Sequence, residues 1–164
     1  LCLIQCWMQV ERWPRAVAAA DVYLEKFKRP DNADLPMVRF LKATALHADR
    51  QSHDAELAFA AVHQLHPDHD LAPQALFLEG ICLLEQDLHR EALDAFSEAH
   101  QRYPKTDILD DCAYWSAMAL SFDKHHADAR ERLRAYLTEY SAHARHATDA
   151  RPAIVAGDES GWHG

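Results

Sequence analysis

The chain has 164 residues, of which 49% are hydrophobic and 26% charged, and its formal net charge is −9. This balance is typical of a globular protein with enough apolar residues for a core, and the negative charge argues against nucleic-acid backbones and anionic membrane surfaces as partners. Because no apolar run approaches the roughly 20 residues of a membrane-spanning helix, we predict neither nucleic-acid binding nor membrane insertion.

A repeat with a period of 37 residues runs along the chain, and few glycines or prolines interrupt it. Alanine, large apolar, proline and aromatic residues each recur at this period. The recurring sets are Ala55, Ala92 and Ala129; Phe59, Phe96 and Leu133; Pro30, Pro67 and Pro104; and Phe40, Phe77 and Tyr114. Self-similarity at such a period is the signature of proteins built from stacked repeats.

The first predicted unit, residues 1–30, is truncated at its start. Its helix A covers residues 1–11 and its helix B covers residues 14–28, with Trp13 at the bend. Because the chain begins at Leu1 and not at Met, we expect a fragment or a processed product. Either Ala16 or Ala18 is the small packing residue of this helix B.

Three complete units follow, at residues 31–67, 68–104 and 105–141. Their helices A are predicted at 37–48, 75–85 and 110–122, and their helices B at 53–65, 89–103 and 127–140, from apolar residues at helical spacing. Pro36 and Pro73 fall in the first turn of a helix A, where proline is tolerated. The candidate N-caps are Asp34, Asp70 and Asp107. The repeat domain thus covers residues 1–140, and we expect residues 141–164 to start as a short helix and then to be disordered.

The four cysteines form no CxxC motif and suit neither a disulfide framework nor a zinc knuckle. We predict that all four are small buried packing residues. They are Cys2, Cys6, Cys82 and Cys112.

The third unit resembles the tetratricopeptide repeat (TPR) family, which is a family of paired antiparallel helices. It carries the family's small, large, small, aromatic, small and proline positions in order and spacing. These residues are Gly80, Leu83, Ala92, Phe96, Ala99 and Pro104. The resemblance covers residues 1 to about 140 and implies an all-α, right-handed α-solenoid of about four helical hairpins, the first of them truncated.

Two departures from the family pattern are informative. The period exceeds the usual ~34 residues, and the additional residues fall in the loop after each proline. Together with the Tyr-Pro endings, this is similar to the bacterial repeats of Tol-Pal coordinator and outer-membrane-assembly lipoprotein proteins. In addition, Lys42, Glu79 and Ser116 occupy a position that is usually a large apolar residue.

The resemblance implies that the helices A line a concave groove for a partner helix or peptide. The residues predicted on that wall are Met37, Phe40, Thr44, His47, Gln74, Phe77, Ile81, Leu84, Asp111, Tyr114 and Met118, and Trp7 extends it into the first unit. The alternative is that some of these aromatics only pack between adjacent helices. The family's clamp for terminal carboxylates needs Lys, Asn and Arg on this wall, so we expect an apolar or mixed partner surface instead.

A structural or self-association module of a larger protein is the second hypothesis. Its surface is the start of the first unit, which no earlier hairpin covers. The residues are Leu3, Ile4, Trp7 and Val10.

A metal-binding module is the third and weakest hypothesis. His63, His66 and His69 form an HxxHxxH run, and His143 and His146 form HxxH, but no further ligand completes a set. We find no catalytic motif and no phosphate-binding loop, so we predict no metal, no cofactor and no enzymatic activity. The compartment stays open between cytoplasm and periplasm.

Overall fold

The computed structural model describes residues 1–29, 32–140, 146, 148 and 150. In this part of the chain every long regular element is an α-helix, which confirms the predicted all-α helical repeat fold. The helices are α1 (Cys2–Gln9), α2 (Trp13–Lys26), α3 (Leu35–Ala48), α4 (Ser52–Leu65), α5 (Ala72–Glu85), α6 (His89–Arg102), α7 (Leu109–Phe122) and α8 (His126–Glu139). None of them, within these residues, combines the length and apolarity that a bilayer crossing needs.

The chain divides into two compact units, unit 1 (Leu1–Gln86) and unit 2 (Asp87–Gly164). In unit 1 each helix from α1 to α5 packs against the next one along the chain, and in unit 2 α6 packs on α7 and α7 on α8. The pairs α1–α2, α3–α4 and α7–α8 are therefore hairpins, as the repeat predicts.

The helix starts agree with the prediction at the prolines but not at two of the caps. Pro36 and Pro73 lie in the first turns of α3 and α5, because a missing N–H costs nothing there. The predicted caps Asp70 and Asp107 were wrong by one residue, since Leu71 and Ile108 hold the N-cap positions. Asp34 does hold the cap of α3 but makes no capping bond; its carboxylate accepts the Tyr23 hydroxyl at 2.9 Å instead.

The hairpin turns share a left-handed residue that is not glycine. Arg50 and Lys124 both have φ of 63°, and Glu11 and Asp87 have φ of 54° and 60°. In the α3–α4 turn the N–H of Arg50 bonds to the carbonyl of His47, and the next N–H bonds back to Leu46, both at 3.0 Å. This is the Schellman ending, which satisfies the last carbonyls of a helix.

The small and aromatic repeat positions form the core. The alanines at 55, 92 and 129 are at most 3% exposed, and Phe59, Phe96 and Leu133 at most 2%. Ala43 and Ala117 are fully buried, which lets the two helices of a hairpin approach closely. The packing roles predicted from the repeat are confirmed.

The register of the first hairpin differs from the rest. Ala16 is fully buried and Ala18 is exposed, so Ala16 is the packing alanine. It precedes Ala55 by 39 residues, and Glu11 precedes Arg50 by the same 39. The two additional residues lie between α2 and α3, where residues 27–34 form an eight-residue connection against the six residues 66–71 between α4 and α5.

The cysteine prediction was correct for two of the four residues. Cys82 and Cys112 are buried, whereas Cys2 and Cys6 are exposed. Burial raises the pKa of both the Cys82 and the Cys112 thiols to about 12, so these two thiols stay protonated at neutral pH.

Candidate partner-binding face

The eleven residues predicted to line the groove lie on α3, α5 and α7, and we call them the A-helix face. Eight of them belong to unit 1 and three, Asp111, Tyr114 and Met118, belong to unit 2. Most are half-buried; Gln74 is exposed and Tyr114 is buried. The face is therefore neither a closed core nor a fully solvated surface, and its members differ in what they contact.

Phe40 packs into unit 1. Its ring meets the ring of Phe59 edge to face, with centroids 5.6 Å apart, and it contacts the buried cluster around Ala43 and Ala55. Edge-to-face aromatic pairs of this kind stabilise a core. Phe40 therefore contributes mainly to packing within its hairpin.

Tyr114 is covered by the C-terminal segment of the chain itself. Its ring is 8% exposed and stacks on His146, with centroids 4.2 Å apart and planes 14° apart. The Nε2 atom of His146 lies 2.8 Å from Asp111 Oδ1, and the fully buried Ala150 joins the same cluster. Asp111 and Tyr114 are thus engaged inside unit 2. The sequence did not reveal this, because His146 lies in a segment that was expected to end in disorder.

His47 is tied to the end of α5. Its Nε2 lies 2.9 Å from Glu85 Oε1, and Ser52 Oγ donates to Glu85 Oε2 at 2.5 Å. Partial burial disfavours ionisation of Glu85 and is the largest single contribution, but the hydrogen bonds from Ser52 and His47 outweigh it, so the pKa of Glu85 is lowered. This network connects α3, α4 and α5 at one edge of the face.

Three further members of the face are half-exposed residues of α3 and α5. Ile81 and Leu84 are half-exposed on α5, where a spacing of three residues puts them on one side of the helix. Thr44 is half-exposed on α3, and its hydroxyl donates to the Phe40 carbonyl at 2.9 Å. These three residues give unit 1 a mainly apolar strip.

The polar residues at the usually apolar repeat position each find a partner. Lys42 Nζ lies 2.6 Å from Asp21 Oδ1 on α2, and Ser116 Oγ donates to the Cys112 carbonyl at 2.7 Å. Glu79 Oε2 lies 2.6 Å from His63 Nε2, with the two side chains 16% and 3% exposed. The departure from the family pattern is therefore compensated by hydrogen bonds, as buried polar groups require.

Two grooves occupy equivalent repeat positions, one in each unit. In unit 1 a cavity of about 510 Å³ lies among α2, α3 and α4, with Asp21, Arg39 and Lys42 in its wall. In unit 2 a cavity of about 340 Å³ lies among α6, α7 and α8, with Ser97 and Ser116 in its wall. Asp21 and Lys42 of the unit 1 groove are thus replaced by hydroxyl side chains in the unit 2 groove, whose wall carries Arg132 and Glu139 on α8 instead.

The HxxHxxH run does not converge on one point. His63 pairs with Glu79, and His69 Nδ1 accepts the Leu71 N–H at 3.1 Å. In the described residues no three or more His, Cys, Asp or Glu side chains stand close enough together to hold a metal ion. His143, of the second motif, lies outside those residues.

The predicted self-association surface is smaller than the sequence suggested. Ile4 is 2% exposed, because it packs with Ala16 and Val38 inside unit 1, so its inclusion was wrong. Trp7 is half-buried beneath the Arg15 guanidinium, which lies 4.8 Å from its ring. Leu3 and Val10 are each 59% exposed and remain available.

Comparison with known proteins agrees with this architecture. Residues 74–106 match the model of the tetratricopeptide repeat family, and this match covers most of the third predicted unit. No characterised protein sequence matches the chain.

Solved structures share the fold at low sequence identity. The MamA RS-1 ArsTM double mutant is 14% identical with a TM-score of 0.67, over 97% of this chain and 92% of that chain. A Podosopora anserina protein with nearly identical TPR-like repeats, of the kinesin light chain type, is 14% identical with a TM-score of 0.70, over 94% of this chain and 78% of that chain. At this identity the likeness establishes a TPR-like helical repeat fold and leaves function to be argued from the site.

Proposed function

We propose that this protein is a non-catalytic scaffold that binds a helix or an extended peptide of another protein along its A-helix face. The observation that supports this best is the half-exposed apolar strip of Thr44, Ile81 and Leu84 on α3 and α5. Helical repeat proteins commonly use such faces for partners, and an amphipathic partner helix binds a groove by placing its apolar side in it.

The chemistry of the strip describes the partner. Ile81 and Leu84 would receive apolar side chains spaced along one side of a helix. The chain carries a net charge of −9, so a partner with basic residues flanking its apolar side would be steered toward it. His47 and Glu85 would supply a polar rim at one edge.

Site-specific photo-crosslinking tests this proposal. A photoreactive amino acid at Ile81 should capture a discrete protein partner from cell extract. The matched control is the same amino acid at Leu57, a side chain 54% exposed on α4 and outside the face. Equal capture from both positions, or capture from Leu57 alone, would contradict a partner site on the A-helix face.

The finer family assignment belongs to the same proposal. The Tyr103-Pro104 ending and the long inter-repeat loops support a repeat of the Tol-Pal coordinator and outer-membrane-assembly lipoprotein type. Such a protein would meet its partner in the periplasm, so crosslinking in intact cells with periplasmic and cytoplasmic fractions analysed separately tests the assignment.

Self-association is a second candidate, and it rests on Leu3 and Val10. Leu3 lies in α1, Val10 is the C-cap residue of that helix seven positions further along, and each is 59% exposed. Light scattering should show a dimer that Leu3→Glu or Val10→Glu dissociates. Trp7 is less suitable for this test, because its contact with Arg15 means that its replacement also disturbs unit 1. A monomeric wild type at high concentration would exclude this candidate.

A further inference from the structure

The unit 2 groove among α6, α7 and α8 reaches deeper than the equivalent groove of unit 1. Four side chains that are at most 4% exposed line it, and they are Phe96, Cys112, Ser116 and Tyr136. Among the described residues that line the unit 1 groove, Leu46 alone is buried. The unit 2 groove therefore extends to the core of its unit, whereas the unit 1 groove lies mainly between side chains near the surface.

Two differences between the repeats accompany this difference in depth. In unit 1 an ion pair crosses the groove from α2 to α3, where Asp21 Oδ1 lies 2.6 Å from Lys42 Nζ. At the equivalent positions, allowing for the two additional residues after α2, unit 2 has Ser97 on α6 and Ser116 on α7. A serine side chain is much shorter than a lysine side chain, so the ion pair that covers the floor in unit 1 has no counterpart at these two positions in unit 2.

The two serines that line the unit 2 groove can act towards a ligand only as hydrogen-bond acceptors. The Ser97 hydroxyl donates to the Leu93 carbonyl at 2.8 Å, and the Ser116 hydroxyl donates to the Cys112 carbonyl at 2.7 Å. Because a hydroxyl has one proton and two lone pairs, each oxygen that has donated its proton can still accept. A ligand that satisfies these oxygens must therefore bring an N–H or O–H group.

The rest of the floor is aromatic and uncharged. Phe96 and Tyr136 contribute their rings, since the Tyr136 hydroxyl is already engaged by the Asp110 carboxylate and the His146 N–H. Burial raises the pKa of the Cys112 thiol to about 12, so the thiol is neutral at physiological pH. Aromatic walls with a few well-placed polar groups are the usual composition of a small-molecule site.

The ionisable groups of the unit 2 groove lie at its exposed rim and carry charges of both signs. They are His100 on α6, and Arg132 and Glu139 on α8. An uncharged floor between one cation and one anion favours a neutral ligand, because a buried charge without a partner costs free energy. The cavity of about 340 Å³ falls within the range of roughly 300–1,000 Å³ that such sites occupy.

We propose that the unit 2 groove binds a small, neutral, mainly aromatic molecule that carries an N–H or O–H donor. Its ring would pack against Phe96 and Tyr136, and its donor would bond to the hydroxyl oxygen of Ser97 or Ser116. These residues lie outside the A-helix face, so the site goes beyond the scaffold function and does not depend on it.

Paired titrations with indole and benzofuran test the proposal, because the two molecules have nearly the same shape and only indole has an N–H. Nuclear magnetic resonance at neutral pH should give a Kd on the order of 0.1–1 mM for indole, as expected for a ligand of this size. Benzofuran should bind about 3–10-fold more weakly, because it cannot donate a hydrogen bond. Equal affinity for the two molecules, or no binding of indole below about 3 mM, would overturn the proposal.

The same titrations locate the site. The signals that move with indole should include those of Ala113, Ser116 and Ala135, which line the unit 2 groove. Those of Ala58 and Ala61, which line the unit 1 groove, should stay in place. Equal movement in both grooves would mean that indole binds any such groove, which would contradict a site specific to unit 2.

Two changes at the serines separate the shape of the groove from its hydrogen bonding. Ser116→Leu restores the large apolar residue that is usual at this repeat position, fills the groove, and should weaken indole binding by more than about tenfold. Ser97→Ala combined with Ser116→Ala keeps the groove and removes both acceptors, so indole and benzofuran should then bind equally. If Ser116→Leu fails to fold, the double alanine variant carries the test.

Thr138→Ala is the matched control. Its hydroxyl also donates to the carbonyl four residues earlier, that of Arg134, at 2.9 Å, but Thr138 is exposed on α8 and is not part of the groove lining. This variant should keep the wild-type preference for indole. A preference that survives in the double alanine variant, or that is lost in Thr138→Ala, would contradict the role given to the two serines.

Discussion

Units 1 and 2 build the same kind of helical repeat with different contacts between their helices. Unit 1 connects neighbouring helices through ionisable pairs, with His63 against Glu79 at 2.6 Å and Lys42 against Asp21 at 2.6 Å. Unit 2 connects α7 and α8 through aromatic rings, with Tyr136 at the centre. Its ring centroid lies 5.9 Å from Tyr114 on α7 and 5.6 Å from Tyr140, one turn further along the chain from Tyr136.

The repeat requires the same small and large core residues in both units, but it does not require the same contacts between helices. Both units have a buried alanine followed one turn later by a large apolar residue. These pairs are Ala55 with Phe59 and Ala92 with Phe96, and we call them the shared layer. The other contacts between helices vary, because a buried position accepts any pair of side chains whose polar groups are hydrogen-bonded. The units should therefore be alike in their response to truncation of the shared layer and different in their response to pH.

Truncating the shared layer gives the largest expected effect. Phe59→Ala in unit 1 and Phe96→Ala in unit 2 should each lower the free energy of unfolding by about 3–5 kcal/mol, because each leaves a cavity in a fully packed site. Urea unfolding measures the loss, and hydrogen exchange of each unit shows where it occurs.

The control for this pair is Leu57→Ala. Leu57 is 54% exposed, so its truncation should change stability by no more than about 0.5 kcal/mol. Equal losses for Leu57 and Phe59 would mean that the repeat register is wrong. Protection lost in both units from a single substitution would mean that the units unfold together.

Loss of the Tyr136 hydroxyl should be the next largest effect and should be confined to unit 2. Its Oη accepts the His146 N–H at 3.0 Å and bonds to the buried carboxylate of Asp110. Tyr136→Phe keeps the ring and removes both bonds, and we expect a loss of about 1.5–3 kcal/mol, because the acceptor is a carboxylate. Urea unfolding at pH 7 measures it. Tyr140→Phe is the matched control, and a cost as large at Tyr140 would contradict this role of the hydroxyl.

The sequence predicted the shared layer well and the contacts between helices poorly. A period of 37 residues locates Ala92 and Phe96, because each copy repeats the same packing problem. The period does not show which side of a helix A is covered by the next element. Phe40 and Tyr114 were therefore predicted to line the groove, whereas both pack within their units. The His63–Glu79 pair depends on how α4 packs against α5, and helical spacing within one helix does not predict this packing.

Acid should weaken unit 1 selectively. The pKa of His66 lies below its ordinary value of 6.5 in the folded state, so unfolding takes up a proton and stability falls as the pH drops below about 6.5. The pKa of Glu85 is also lowered from its ordinary 4.5, so a second loss follows as the pH falls below about 4.5 toward the folded value. Urea unfolding between pH 8 and pH 3 measures both losses.

Single substitutions assign the two acid steps. His66→Tyr should remove the loss that begins below about pH 6.5 and Glu85→Gln the loss that begins below about pH 4.5, each leaving the other in place. A wild type with constant stability from pH 8 to pH 5 would contradict the role given to His66.

Alkali should weaken unit 2 more than unit 1. Burial, together with the Asp110 carboxylate, raises the pKa of Tyr136 to about 12 from an ordinary 10.0. The hydroxyl ionises more easily in the unfolded chain, so its contribution is complete below pH 10 and is lost as the pH rises toward 12. The buried thiols of Cys82 and Cys112 add a similar loss to each unit.

Phenolate absorbance and urea unfolding of Tyr136→Phe together measure the tyrosine contribution. If the wild type loses no more stability than this variant above pH 10, the contribution assigned to Tyr136 is contradicted.

The smallest effect should come from the hairpin turns, where the two units share a left-handed residue with the same φ but with different neighbours. Arg50 and Lys124 both have φ of 63°, a conformation that glycine adopts without the strain of a Cβ atom. Lys124→Gly should therefore stabilise unit 2 by about 0.5–1 kcal/mol.

Arg50→Gly should gain less, because the Arg50 charge also helps to lower the pKa of Glu85 in unit 1. Measured in 1 M salt, which screens exposed charges, the two gains should converge. Matched Arg50→Ala and Lys124→Ala variants keep the Cβ atom and should show no gain. If Gly and Ala had the same effect at both turns, the left-handed residue would not be strained. If the two glycine gains stayed unequal in high salt, the difference between the units would lie in packing and not in charge.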